Sequence, residues 1–448
     1  MTRRFLTLLL ALATLAAGAS PAVASKRDDD RRRAADARFA TFNASLNRGA
    51  AGRLVTDLSD PGADTVGVRQ ARNVAEVIQR ARPDVVLINE FDYYENGAAA
   101  RLFRDNFLRV SQNGAPAADY PYFFVAPSNT GISSGFDLDN SGDTNPNDSG
   151  NDAFGFGLFP GQFGMVVYSK HPIDHSAART FQTFLWKDMP GARLPDNAST
   201  PQPRDYYSAE ERDVFRLSSK SHWDVPIRIG KRTVHFLASH PTPPVFDGPE
   251  DRNGLRNADE IRFWADYVTP GRGRYIYDDR GRRGGLHPSA LFVIAGDQNS
   301  DPVDGDSLRD AQGNPIAIQQ LLESSRVNAS SPPSSAGATE ASALQGGANA
   351  SHMGDPKFDT ADFADSAPGN LRADYVLPSH RIGITGSAVF WPVRADPLSR
   401  LTGVFDFANW GPVGGFPTSD HRLVWADLDL PGEGGKGHNH HHHDHDHD

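Results

Sequence analysis

An acidic residue and a histidine stand side by side near the C-terminus, where residues 415–428 read GFPTSDHRLVWADL. The pair, Asp420 and His421, comes just before a run of alternating apolar residues, at the point where a loop enters a predicted strand. A histidine at the edge of a sheet can stabilise developing charge if a second carboxylate fixes its tautomer. A turn in which Asp420 bonds its own backbone is the alternative interpretation. The pair therefore needs partners elsewhere in the chain.

Polar side chains also lie at the ends of other predicted strands. They are Asn43 after RFATF, Glu90 and Asp92 after DVVLIN, His240 after TVHFLAS, Asp297, Gln298 and Asn299 after LFVIAG, and Asp374 and Tyr375 before VLPS. Each of these alone is ordinary turn chemistry. Ligand sites gather at strand ends along one edge of a sheet, however, and a set of Asn, Glu, Asp and His residues suits a hydrolase that uses a hard cation.

Apolar runs with strand character alternate with segments of helical periodicity. The predicted strands are 38–43, 84–89, 122–126, 164–169, 233–239, 291–296, 373–379 and 423–428, and the predicted helices lie in 69–82 and 253–268. This alternation indicates an α/β or α+β layered domain with buried sheets. Because the candidate residues must converge on one place, we expect one domain over 38–430, although the length alone suggests two or three.

The order of the short motifs NASL, NEFD, ASHPTPP, GDQNSDP, RADYVLPS and TSDHR resembles the endonuclease/exonuclease/phosphatase superfamily. That superfamily includes pancreatic-type deoxyribonucleases, abasic-site endonucleases, neutral sphingomyelinases and inositol polyphosphate 5-phosphatases. The resemblance covers residues 38 to about 430, and GDxN followed at a distance by SDHR is its specific part. It implies a four-layer sandwich of two packed mixed β-sheets flanked by helices.

The resemblance also implies a divalent cation, Mg²⁺ or Mn²⁺, and the residues that would hold it. Glu90 would be the principal ligand, Asn43 would help to hold the ion, and Asp420 would sit beside it. Many members carry a second acid two residues after the first Asn, where this chain has Ser45. A cradle of two carboxylates at that position is therefore not expected.

The remaining motif residues would act on the phosphoester itself. By resemblance, His240 would contact the scissile phosphate, Asp297 would orient or deprotonate the attacking water, and Asn299 would steady the phosphate oxygens. Asp374 would fix the ring of His421, which would stabilise the transition state. Phosphoester hydrolysis independently requires a cation, a water with a base, and donors on the non-bridging oxygens.

Four further residues lie near these motifs and could contact the substrate. They are Lys187, Lys220, His222 and Arg252. Solvated or loop-capping roles explain such residues equally well. They are scattered rather than gathered in a basic stripe, and the chain has 45 Lys and Arg against 56 Asp and Glu, a net charge of −11. This balance argues against a protein whose main task is to grip polyanions.

An acidic segment, DLDNSGDTNPND at 137–148, places oxygen ligands at positions 1, 3, 5 and 12 and a glycine at position 6, as in a calcium-binding loop. Pro146, the final Asp148 in place of Glu, and the absence of flanking helical patterns argue against this interpretation. The segment 137–152 is expected to be an inserted loop, with a disordered acidic loop as the alternative to a Ca²⁺ site. A second insertion, near 324–368, is low in large apolar residues over 324–351 and is expected to be extended.

The ends of the chain have their own signatures. Residues 1–24 read as a secretory signal peptide, with two arginines, an apolar run and a small-residue cleavage site. A charged linker follows at 25–37, and a His/Asp-rich tail at 431–448 is expected to be disordered and either a natural metal-chelating tail or an expression tag. We therefore expect a secreted or periplasmic protein without a stable membrane anchor. The chain has no cysteine, so neither disulfides nor a thiol nucleophile is available.

Together these features predict a secreted, divalent-metal-dependent phosphoester hydrolase, either a phosphatase or a phosphodiesterase acting on small or lipid phosphoesters. An extracellular nuclease, for which nucleic acid is the substrate, is the first alternative. A non-catalytic binding module of the same fold is the second, and the presence of every core acid, Asn and His speaks against it.

Overall fold

The structure, a computed structural model, describes residues 36–144, 150–197, 199–201 and 205–432. The predicted signal peptide, nearly all of the charged linker, the tail from residue 433 onward, and Pro146 and Asp148 of the acidic segment lie outside the described residues. Within those residues, every helix is too short or too polar to span a bilayer.

The strands form two large sheets and a small ribbon. In chain order they are β1 Ala37–Leu46, β2 Val85–Phe91, β3 Tyr122–Phe124, β4 Met165–Ser169, β5 Arg179–Thr180, β6 His222–Ile229, β7 Arg232–Ser239, β8 Leu291–Asp297, β9 Ala361–Asp362, β10 Asn370–Leu371, β11 Asp374–Pro378, β12 Gly383–Val389 and β13 Val424–Asp429. The first sheet has the order β12-β13-β1-β2-β4-β3, the second β11-β8-β7-β6-β5, and β9 pairs with β10. The pairs β1–β2 and β7–β8 are parallel and all other neighbours are antiparallel, so both large sheets are mixed.

Helices cover the outer faces of the two large sheets. In chain order the helices are α1 Arg53–Ser59, α2 Val66–Ala81, α3 Ala98–Phe103, α4 Ala209–Val214, α5 Arg252–Val268, α6 Gln319–Leu322, α7 Ala336–Gln345, α8 Ser399–Thr402 and α9 Phe407–Trp410. The helices of the outer faces are α1, α2, α3 and α8 on the first sheet and α5 and α6 on the second. The long helix α2 begins at Thr65, whose hydroxyl accepts the Val68 N–H. The apolar residues whose spacing predicted α2 and α5 from the sequence lie on the faces that these helices bury.

Three apolar cores separate the layers. The central core lies between the sheets and includes Phe39, Leu87, Phe236 and Val293. A second core packs α5 against the outer face of the β7–β8 sheet, and a third packs α1, α2 and α3 against the outer face of the β1–β2 sheet. The structure therefore confirms the predicted fold class, a four-layer sandwich of two packed mixed β-sheets flanked by helices.

The two parallel pairs place the ends of four strands at one edge of the sandwich. Parallel neighbours end on the same side of a sheet, so β1 delivers Asn43 beside β2 with Glu90, while β7 leads to His240 beside β8 with Asp297. Gly296 allows β8 to approach β7 closely here, because a Cβ at Gly296 (φ 142°) would lie 2.0 Å from the Ser239 carbonyl oxygen. In the pairing of β11 with β8, Asp374 lies directly opposite Asp297.

One sequence expectation about the insertions is wrong. The segment 324–351, expected to be extended, contains helix α7, which begins at Ser335, whose hydroxyl accepts the Ala338 N–H. Ala338 is buried in the central core, so a short run of small residues is enough to seat the helix. The sequence also gave no strand prediction for β6 or β12. Two residues in these strands weaken the strand pattern, Pro226 in β6 and Gly386 in β12.

Candidate active site

The carboxylate of Asp297, at the end of β8, is the point on which the side chains converge. Its Oδ2 accepts a hydrogen bond from Asn43 Nδ2 at 3.0 Å and lies 3.3 Å from His240 Nε2 and 3.5 Å from His421 Nε2. Its Oδ1 accepts the backbone N–H of Asn299 at 2.8 Å. Although burial opposes ionisation, the charges of His421 and His240 and the hydrogen bonds lower the pKa of Asp297 well below its usual range. Asp297 is therefore held as an anion.

His421 is aligned by a carboxylate on the other side of its ring. Its Nδ1 lies 2.8 Å from Asp374 Oδ2, while its Nε2 points toward Asp297. The hydroxyl of Thr360 donates to the same Asp374 oxygen at 2.7 Å. Burial opposes protonation of His421, but the charges of Asp374 and then Asp297 raise its pKa well above the usual range. The ring is therefore an imidazolium fixed between two carboxylates.

A second group of carboxylates lies beside Asp297. Glu90 Oε1 accepts the other hydrogen of Asn43 Nδ2 at 3.0 Å. Burial, and next the charge of Asp420, raise the pKa of Glu90 to about 7. Glu90 also holds a left-handed backbone conformation (φ 57°) inside a strand, which is rare for a residue other than glycine and is typical of functional sites.

The group formed by Glu90, Asp420 and Asn43 fits a divalent cation. After burial, the charge of Asp420 is the next cause of the raised pKa of Glu90, and a cation between the two carboxylates would remove that repulsion. Oxygen donors of carboxylates and amides are those that hard cations prefer. Asp297, Asp374 and His421 also bring ligand atoms within 4.8 Å of one another. Both nitrogens of His421, however, already face these carboxylates, so we interpret that trio as a hydrogen-bonded chain rather than a ligand set.

His240 and Lys220 complete the inner surface of the site. His240 is buried, and its Nδ1 has no hydrogen-bond partner within the described part of the chain. Burial, and next the charge of Lys220, lower the pKa of His240 to about 4, so the ring is neutral. Lys220 is only 7% exposed, its charged neighbours are Glu260, Glu90 and Asp297, and the structure gives its ammonium group no hydrogen bond or salt bridge to any described residue.

Residues of a supporting layer hold these groups in place. Asn89 Oδ1 accepts the Asp297 N–H at 3.1 Å, and Asn299 Nδ2 donates one hydrogen to the Pro241 carbonyl at 3.1 Å, which leaves its second hydrogen for a ligand. Glu260 on α5 accepts the N–H groups of Ser219 at 2.7 Å and Thr242 at 2.6 Å. It therefore fixes the loops that carry Lys220 and His240.

The structure does not bring three of the sequence candidates to the site. Lys187 forms a salt bridge with Asp213 at 2.5 Å on the surface, and Arg252 pairs with Glu250. His222 is buried against aromatic rings of α5, and its two ring nitrogens lie 3.0 Å from Ser218 Oγ and 2.9 Å from the Glu260 carbonyl oxygen. All three already have partners within the chain, so the assignment of substrate contacts to them stays a prediction.

Sequence reasoning missed Thr360, Glu260 and Asn89. Thr360 lies in the segment 324–368, which the sequence marks only as an insertion, and nothing in its neighbours distinguishes it. Glu260 carries a better signal, because it is a charged residue in a helix that is buried on most sides. Asn89 immediately precedes Glu90 at the end of an apolar strand, and its polarity there is itself the signal.

The chain is a four-layer α/β sandwich with a buried polar site at one edge of its sheets, and the comparison with family models specifies its class further. Residues 40–421 match the model of the Endonuclease/Exonuclease/phosphatase family, so the chain belongs to that family. The activities in the family's name, nuclease and phosphatase, are hydrolyses of phosphoesters. The predicted family membership is therefore confirmed.

Several solved structures are similar over most of the chain. An endonuclease/exonuclease/phosphatase from Beutenbergia cavernae has 17% identity and a TM-score of 0.43, covering 88% of this chain and 72% of that chain. Sphingomyelinase C from Streptomyces griseocarneus has 14% identity and a TM-score of 0.40, with 87% and 98% covered. A mannosyl-6-phosphatase from Bacteroides thetaiotaomicron has 11% identity and a TM-score of 0.40, with 88% and 100% covered. No curated protein sequence matches the chain at a significant level.

The contact between Thr360 and Asp374 generates a test of the site. We expect Thr360→Val to lower kcat by about tenfold with little change in KM, since a hydrogen bond to a charged group contributes about 1.5–3 kcal/mol. Thr360→Ser should restore the rate because it keeps the hydroxyl. Steady-state kinetics and thermal melting of both variants check this. A loss of rate in Thr360→Ser equal to that in Thr360→Val would show that the methyl packing, and not the hydrogen bond, matters.

Proposed function

We propose that the protein is a divalent-metal-dependent phosphoester hydrolase that acts on small or lipid phosphoesters. The observation that carries this proposal is the convergence of Asn43, His240 and His421 on one oxygen of Asp297, with Glu90 and Asp420 beside them. These residues come from distant parts of the chain and from both sheets. A purely structural salt-bridge network would have no need to keep at the same place a buried lysine that forms no hydrogen bond or salt bridge with any described residue.

The chain's own residues would perform the hydrolysis as follows. Asp297, held as an anion, orients the attacking water and takes its proton. The His421 imidazolium, aligned by Asp374, stabilises the charge that develops on the phosphoryl oxygens, and His240 and Asn299 offer further hydrogen bonds to them. Lys220 adds a positive charge next to the same place. The protonation states favoured by the surroundings of Asp297 and His421 are the ones that these roles need.

Glu90, Asp420 and Asn43 would hold the metal ion, with Mg²⁺ or Mn²⁺ as the expected species. Such an ion neutralises charge on the phosphoryl group and favours an attacking hydroxide. Glu90 is the residue whose carboxylate gains most from the ion, because its neighbours and its burial otherwise favour the protonated form.

The charges around the site favour small or lipid phosphoesters over nucleic acid. A nuclease neutralises several phosphates with free lysines and arginines. Here Lys187 is already paired with Asp213, and Arg252 is already paired with Glu250. Lys220 is buried, so it could contact one phosphate of a substrate but not a series of them. We propose in addition that the protein is exported, on the basis of the signal-peptide pattern of residues 1–24.

Metal dependence is the first test of this proposal. Exhaustive chelation should abolish turnover and added Mg²⁺ or Mn²⁺ should restore it, because the site offers no activated nucleophile that replaces a metal-assisted water. Glu90→Gln should lower activity at limiting Mg²⁺ by about a hundredfold, since the metal's charge stabilisation is worth several kcal/mol. Glu95→Gln, an exposed position on the same segment, is the matched control. Full activity after chelation would refute the metal assignment.

Lysine substitutions test the placement of the substrate. Lys220→Met should lower kcat/KM by about a hundredfold, comparable with the loss of one donor to a transition-state oxyanion. Lys187→Met should change it by less than about twofold, since an exposed salt bridge contributes little. Kinetics on the same substrate with both variants give the comparison. Equal effects of the two substitutions would mean that Lys220 does not contact the substrate.

Substrate class is tested with a simple chromogenic phosphomonoester and phosphodiester, phospholipid vesicles and supercoiled DNA, each over a range of salt. We expect turnover of the small or lipid esters with weak salt dependence and little plasmid cleavage. Binding to duplex DNA would instead weaken steeply, with a slope of about −0.9 per neutralised phosphate. Plasmid cleavage that collapses at moderate salt would favour the nuclease. Binding of a phosphoester without turnover of any substrate would favour the non-catalytic module.

A further inference from the structure

One buried side chain on α5 joins the two segments that carry His240 and Asp297. Asn257 is fully buried, and its Nδ2 donates to the Thr242 carbonyl at 2.8 Å and to the Gln298 carbonyl at 2.9 Å. Thr242 follows His240 by two residues, and Gln298 comes directly after Asp297. A single amide group therefore links the loop after β7 to the loop after β8.

The backbone pairing of β7 with β8 ends before it reaches the two site residues. The last paired residues are Ala238 and Ala295. His240 Nε2 and Asp297 Oδ2 lie 3.3 Å apart beyond that pair. Loops that leave a sheet are less constrained than its strands. Contacts between the two loops therefore control the separation of the two side chains.

Asn299 supplies a second contact between the loops, and Asn257 supports it. The Asn299 Nδ2 donates to the Pro241 carbonyl at 3.1 Å. Asn299 also holds a left-handed backbone conformation (φ 49°), which in a residue other than glycine persists only where the surroundings determine it. The Asn257 Nδ2 lies 3.5 Å from the Asn299 carbonyl oxygen. Asn257 therefore belongs to the surroundings that hold this strained residue.

Asn257 is one of three polar side chains of α5 that face the ends of β7 and β8. Glu260 accepts the Thr242 N–H at 2.6 Å, and Trp264 Nε1 donates to the Ser239 hydroxyl at 3.0 Å. Their spacing along the helix places all three on one side of it. Polar groups in a buried helix face cost free energy unless they find partners. Here these partners belong to the strand ends and loops that carry the site.

The contact requires the chemistry of an amide. Thr242 and Gln298 present carbonyl oxygens, so the group between them must supply two hydrogens, and an amide nitrogen does so from one atom. The Asn257 Oδ1 has no hydrogen-bond partner within the described part of the chain, so the side chain acts through its nitrogen. A carboxylate of the same shape would place an oxygen against two carbonyl oxygens.

We propose that Asn257 is a positioning residue that fixes the loop of His240 relative to the loop of Asp297 and Asn299. Because Asn257 is fully buried, it acts through the backbone of these loops rather than by touching the substrate. Its effect on turnover rests on the proposed function. Its effect on the loops does not, and the two effects are measured separately.

The first test is kinetic and uses two substitutions that remove the donors. In Asn257→Asp we expect kcat per folded molecule to fall by about a hundredfold with KM changed by less than about threefold, because small misplacements of reacting groups cost that much. Asn257→Ala adds no repulsion and should lose about tenfold in kcat. It also covers the case in which Asn257→Asp fails to fold.

Gln79→Glu is the matched control. Gln79 is a fully buried amide on α2, and its Nε2 donates to the carbonyls of Leu108 at 2.9 Å and Val110 at 2.8 Å. Leu108 packs in the core on the outer side of the first sheet, away from the site. The substitution should lower the melting temperature as Asn257→Asp does, because both remove buried hydrogen bonds, while kcat stays within about twofold of the wild type.

Hydrogen exchange followed by mass spectrometry tests the loops without any substrate. The backbone N–H groups of Thr242, Gln298 and Asn299 all donate hydrogen bonds in the structure, so their exchange reports local opening. We expect Asn257→Ala to speed exchange by about tenfold in peptides that cover 240–243 and 297–300, since both loops lose their common link. Gln79→Glu should leave the exchange of these peptides unchanged.

The overturning results are separate for the inference and for the proposed function. Unchanged exchange in Asn257→Ala would overturn the inference, whatever the kinetics show. Equal kcat values in Asn257→Asp and Gln79→Glu would also overturn it, as would a loss confined to KM. A wild-type protein that hydrolyses no phosphoester would refute the proposed function instead, and the exchange rates alone would then decide whether Asn257 positions the loops.

Discussion

The buried charge of Asp297 is the constraint on which the arrangement of the site depends. An isolated carboxylate in the interior is expensive, and it is tolerated only when hydrogen bonds and opposite charges surround it. Here the partners come from both sheets: Asn43 from the first, and His240 and the Asn299 backbone from the second, with His421 ahead of β13. The charge of Asp297 is therefore compensated only when the two sheets are packed against each other.

This compensation explains why neighbouring groups titrate in opposite directions. Asp297 is surrounded by donors and its pKa falls, whereas Glu90 faces Asp420 and loses solvent, so its pKa rises to about 7. The two histidines diverge as well, because His421 lies between two carboxylates while burial and Lys220 act on His240. Pairs of like groups driven apart by their surroundings are typical of acid–base sites.

The sequence was sufficient to predict most of the strands that position the site residues. It was insufficient to predict the side chains and loops that contact those residues. Apolar runs predicted β2, β4, β7, β8, β11 and β13 to within two residues at each end. The polar residues that converge lie at or just after the ends of β2, β7 and β8, open β11 or precede β13. The side chains of Lys220 and His222 were indistinguishable in SKSHW, however. Their surroundings differ because of α5. The backbone carbonyl of Glu260 contacts the His222 ring, whereas Lys220 interacts only with the charge of Glu260. Such tertiary contacts cannot be predicted from the local sequence pattern.

Segments between the strands supply contacts that the strand ends alone do not. A strand end delivers a carboxylate to the site, but each carboxylate has more lone pairs than one partner can satisfy. Asp374 accepts the Thr360 hydroxyl from the segment 324–368, and the Ser219 backbone packs against Gly155, which lies just after the segment 137–152. Loops therefore set how rigidly the fixed residues are held. Loops also form the surroundings of a site, and function depends on those surroundings rather than on the fold alone.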